Sequence, residues 1–75
     1  MDSRITGKQK IAKIRALARE CAREAVEQGA TEVGEPLPGD WNAYDDLMDE
    51  IGWFPSSGAR FRFEYRRHLK HLLEG

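Results

Sequence analysis

No aromatic residue occurs in the first forty positions of this 75-residue chain, and no apolar run approaches the roughly 20 residues that cross a bilayer. A membrane span is therefore not expected. The opening Met1-Asp2-Ser3-Arg4-Ile5-Thr6-Gly7 lacks the apolar stretch of a secretory signal. One cysteine, Cys21, excludes an internal disulfide and suits a reducing, cytoplasmic setting. There is no glycine-rich phosphate loop, no nucleophile elbow and no Cys/His pair at zinc-finger spacing. The expectation is a protein that is no enzyme and has neither cofactor nor metal. His68 and His71 stand at i and i+3, and a helical wheel turns the first towards the core and the second towards an edge. Cys21 falls in the middle of an apolar stripe and reads as a small core residue rather than a nucleophile.

What is present is charge, sorted into blocks. The net charge is −1. Residues 1–19 sum to +5, residues 20–50 to −9 and residues 51–75 to +3. Such blocks act on partners by sign, through local fields that the total hides. They also admit a blander reading, in which opposite blocks face one another inside the fold.

One domain is expected over residues 1–75, all-α with three helices near residues 7–28, 41–51 and 58–73. Residues 1–6 are expected to fray, with Thr6 a candidate N-cap. In the first helix Ile11, Ile14, Leu17, Ala18, Cys21, Ala22, Ala25 and Val26 share one half of the wheel, and Gly29 supplies a left-handed stop. That stripe is rich in alanine, so a partner helix can approach closely. Two coverings are open: the other two helices of the chain, or a second copy in a homodimer. Residues 29–39, with Pro36 and Pro38, read as an extended connection pinned by Val33 and Leu37.

Asp40 is the expected N-cap of the second helix, which buries Trp41, Tyr44, Leu47, Met48 and Ile51. The chain then breaks at Gly52-Trp53-Phe54-Pro55, and Ser56 or Ser57 is the expected cap of the third helix. Residues 60–66 alternate like a strand. The helical reading nevertheless covers 59–73 without a break and puts Phe61, Tyr65, His68, Leu69 and Leu72 on one face. Phe63 then points outward among cations. The expected core adds Ile14, Leu17, Cys21 and Ala25 to the aromatic and aliphatic residues of the last two helices.

Two candidate surfaces follow. Asp45, Asp46, Asp49 and Glu50 form an acidic face for a protein partner. Arg60, Arg62, Phe63, Arg66, Arg67 and Lys70 form a basic one for protein or nucleic acid. The run from Leu47 through Gly52 to the arginine-rich third helix resembles a helix-turn-helix in outline, which implies a DNA-binding regulator with Arg60, Arg62 and Arg66 as reading or phosphate-contacting side chains. Against that, the connection is long, the preceding helix is acidic and the net charge is negative. In size and charge layout the chain is similar to the small inhibitors carried by phages and other mobile elements, anti-CRISPR proteins among them. That likeness implies docking on a protein that handles nucleic acid, as an inhibitor or adaptor.

Overall fold

A computed structural model describes residues 6–75. Helix α1 spans Gly7–Glu27, α2 Pro38–Ile51 and α3 Ser57–Glu74. The described residues contain no strand, so the alternation across 60–66 belongs to a helix. The chain runs up, down and up. Arg15 of α1 meets Glu64 of α3, and Lys10 near the start of α1 lies against Gly52 at the end of α2.

The helix ends follow from local chemistry. Thr6 Oγ1 accepts from the Gln9 N–H at 3.2 Å, and Gln9 Oε1 accepts from the Thr6 N–H at 3.0 Å. This reciprocal box ties Thr6 down; residues 1–5 of the expected frayed segment lie outside the described residues. At the other end Gly29, at φ 101°, donates to Val26 O, and Ala30 donates to Ala25 O, a Schellman closure. Helix α2 starts earlier than expected. Pro38 takes its first position, where the fixed φ fits and the missing N–H is no loss, and Leu37 is the N-cap residue. Asp40 is therefore inside the first turn and accepts from the Leu37 N–H at 2.9 Å. Helix α3 is not capped by a serine side chain. Ser56 turns the chain in the left-handed region at φ 69°, while Ser57 is fully buried with its hydroxyl hydrogen-bonded to that of Tyr44.

The core has two textures. Against α1, α3 packs closely, because Ile14, Ala18, Cys21, Ala22 and Ala25 present a low, buried surface. The alanine stripe is thus covered in large part by the chain's own helices. Helix α2 is held instead through rings. Trp41, Tyr44 and Phe61 stand 5.0–5.3 Å apart, with Trp41 edge-on to the other two. Met48, Ile51, Tyr65 and Leu69 complete the buried set, with Leu17, Leu47 and Trp41 packed partly against it.

Two expected contacts fail, those of Leu72 and Leu37. Leu72 is 43% exposed, although it lies in the middle of the apolar arc. Helix α2 begins level with Cys21 and Tyr65, whose thiol and phenol both feel Asp40, so it stops short of the last two turns of α3. Leu37 is exposed, and the buried Pro36 pins the connection in its place, beside a half-buried Val33. Trp53 is 67% exposed, outside the core that its aromatic neighbours build.

Candidate functional site

The basic face is where the sequence placed it, but its charges are engaged. The reason is Glu64, a residue that periodicity did not single out. Its side chain is fully buried between α3 and α1, and guanidinium groups converge on it. Arg60 Nη1 lies 3.3 Å from Oε2, Arg67 Nη1 3.3 Å from Oε1 and Arg15 Nε 3.5 Å from Oε1. A buried carboxylate needs such partners, since removal from water penalises the charged form heavily. The arginines keep 40–50% of their side chains in solvent, so they reach inward with their heads while their stems cover the site. His68 Nε2 stands 3.6 Å from the same carboxylate, buried and without a hydrogen-bond partner. Burial holds the His68 pKa below its ordinary value of 6.5; the pull of Glu64 is opposed by Arg67, Arg19 and His71. His71 itself is exposed.

The outer half of the face is tied to the connection. Glu35 is gripped by Arg62 through Nε and Nη2, the latter at 2.7 Å, and by Arg66 Nη1 at 3.0 Å. The Arg62 hydrogen bond, with the charges of Arg62 and Arg66, holds the Glu35 carboxyl below the usual carboxylate range. Phe63 points outward as expected, 54% exposed, with the Arg60 guanidinium 5.9 Å from its ring centre. Beside it, Val33, Arg62, Phe63, Arg66, Arg67 and Lys70 line a shallow depression of about 360 Å³. Of the five cations in the basic face, only Lys70 makes no ion pair among the described residues.

The acidic face is the opposite case. Asp45, Asp46, Asp49 and Glu50 are all exposed, and none makes an ion pair among the described residues. Arg15, Arg19 and Arg23, an i, i+4 row on α1, do not neutralise them: Arg15 goes to Glu64, Arg23 to Glu20, and Arg19 makes no ion pair among the described residues. They crowd the C-terminal two turns of α2, where the helix dipole is already negative. Asp45 with Asp49 and Asp46 with Glu50 are i, i+4 pairs of like charge, each unfavourable by about 0.2–0.5 kcal/mol. Lys10 lies close to the helix end and its Nζ stands 5.7 Å from the centre of the Phe54 ring. The exposed Trp53 follows directly after Gly52, so a large aromatic stands at the same end of α2 as the carboxylates. Its only signal in the sequence was its place between a helix-ending glycine and Pro55.

The remaining candidates are quiet. Burial pushes the Cys21 thiol up to about 12, helped by the charge of Asp40 and a hydrogen bond to it, so almost no thiolate forms near neutrality. No group of three or more His, Cys, Asp or Glu among the described residues is placed to hold a metal ion. No helix among the described residues is long and apolar enough to cross a membrane. Compared with family models, with curated proteins and with solved structures, the chain finds no match.

Proposed function

We propose that the protein is a non-catalytic, cytoplasmic docking protein whose acidic α2 end occupies a basic groove on a protein partner. One observation carries this reading. Four exposed carboxylates crowd the negative end of α2 without an ion pair among the described residues, while the arginines of α3 are held by the chain's own Glu64 and Glu35. Such crowding disfavours the isolated helix and favours a cationic surface brought against it. Trp53 supplies an aromatic anchor beside the charges, and tryptophan is enriched among the residues that dominate binding energy. A groove that normally receives nucleic acid has the matching charge, so an inhibitor or adaptor of a nucleic-acid-handling protein, of the kind mobile elements carry, is the form proposed.

DNA binding by α3 is the competing reading. It requires Arg60, Arg62, Arg66 and Arg67 to leave carboxylates they already hold. The two readings separate in one experiment. Asp45→Lys with Asp49→Lys is introduced into the tagged protein, and capture of a partner from a nuclease-treated lysate of its own cell is compared with binding to duplex DNA. Loss of a nuclease-resistant protein partner, with the helical fold intact, is the expected result. Tight, salt-sensitive DNA binding that the double reversal strengthens would overturn it, since counterion release makes phosphate contacts steeply salt-dependent.

A further inference from the structure

We propose that Arg62 and Arg66 form a recognition site for an acidic, extended segment of a protein partner, and that the chain's own Glu35 holds this site closed. The site lies on α3 and stands independently of the acidic face. Its geometry is already displayed by the internal occupant. Arg62 presents Nε and Nη2 side by side to both oxygens of one carboxylate, and Arg66 adds a third donor to Oε2. A planar two-donor edge of this kind selects carboxylate or phosphate over a point anion.

The surroundings choose between those two ligands. Val33, two residues before Glu35, lines the depression that also contains Phe63, Arg67 and Lys70. Gly34 separates the two and the buried Pro36 follows, so the segment crosses α3 in an extended path. The chain therefore shows an aliphatic side chain and a glutamate, two positions apart, seated together on an apolar and cationic surface. A peptide with that pattern fits every part of it. A phosphodiester backbone would use the guanidinium groups and leave the exposed ring of Phe63 on α3 without a partner.

The closure is weak enough to open. Arg62, Arg66 and Glu35 keep 55%, 39% and 50% of their side chains in solvent, and exposed ion pairs hold loosely. A tethered occupant nonetheless lowers the apparent affinity of any competitor by the fraction of molecules in which the site is filled. The contact is thus a built-in brake on the basic face.

The test uses the full chain, isotopically labelled, titrated with a synthetic peptide copying residues 31–38 (Thr-Glu-Val-Gly-Glu-Pro-Leu-Pro) and followed by the resonances of Arg62, Phe63 and Arg66. The Glu35→Gln protein is expected to saturate at a peptide concentration about fivefold lower than the unaltered chain does. A peptide with glutamine in place of the second glutamate should shift nothing, and Arg62→Gln with Arg66→Gln added to Glu35→Gln should abolish the response. Glu35→Ala repeats the measurement should Glu35→Gln disturb the amide spectrum. Equal response of the Glu35→Gln and unaltered chains would overturn the proposal. So would equal binding of the glutamine peptide, or a gain in duplex DNA binding larger than the gain for the peptide.

Discussion

The acidic end of α2 and the outer face of α3 carry nearly the same number of charges and use them in opposite ways. On α3 the arginines are built into the fold: Glu64 draws Arg15, Arg60 and Arg67 to the core, and Glu35 draws Arg62 and Arg66 to the connection. On α2 the carboxylates contribute nothing visible to the fold and act against their own helix. Counting charges by sign would rate the two surfaces as equivalent. Following each charge to its partner separates a face whose charges are answered within the chain from one whose charges are not.

The sharpest way to break the contrast is to remove Glu64. Glu64→Ala leaves three guanidinium groups without their shared anion and empties a fully buried site, and is expected to cost about 2–3 kcal/mol, measured by urea denaturation. The arginines are half in solvent, which keeps the loss below that of a fully buried pair. If the variant were as stable as the parent, the basic face would be ordinary surface and the contrast would vanish.

The second test is pH. His68 beside Glu64 has its pKa depressed by burial, so the folded chain binds a proton there less readily than the unfolded chain. Between the depressed value and 6.5 the unfolded state carries more protons, and stability rises with pH across that window. Lowering the pH from about 7 to about 5 should therefore lower the thermal midpoint through this site, and His68→Gln should flatten that part of the profile. Glu35 acts at lower pH, where its contribution, present above its unfolded value, is lost as pH falls through its lowered pKa.

Glu35→Gln should leave the urea midpoint almost unchanged, because all three side chains of that cluster are well exposed. The last effect is stabilising. Asp45→Lys with Asp49→Lys should raise stability by a few tenths of a kcal/mol per site, read by the same denaturation, since it relieves like-charge pairs and opposes the dipole. A stabilising change that abolishes partner capture would sharpen the contrast to its limit, a surface kept against the interest of the fold.

Much of this was legible in the residues. The 3.6-residue period gave three helices and most of the core, and the Gly29 stop needed only local chemistry. The acidic and basic faces were also readable as exposed surfaces, because each occupies the polar arc of its helix. Pairing was not readable. Glu35 and Arg62 are 27 positions apart, and nothing local says that the connection lies across α3. Glu64 was hidden for a related reason: a carboxylate among arginines reads as solvated until a second helix covers it. Leu72 was placed inside by hydrophobicity, yet α2 stops short of it. Neither Ser56 nor Ser57 caps α3 with its side chain, and the Ser57 hydroxyl serves the buried Tyr44 hydroxyl instead.

The close α1–α3 packing bears on how the chain is made. These helices are the first and last in sequence, and α1 meets α3 far more extensively than it meets its neighbour α2. Nucleation therefore has to close a loop of about thirty residues before the main apolar surface is rewarded, unlike a bundle that zips up hairpin by hairpin. During synthesis α1 and α2 emerge without the helix that covers them, so this fold is acquired only once α3 has been made. A fragment ending at Gly52 should remain a fluctuating coil in circular dichroism, and a stop codon anywhere before Leu69 should yield a chain that degrades rather than a shortened domain.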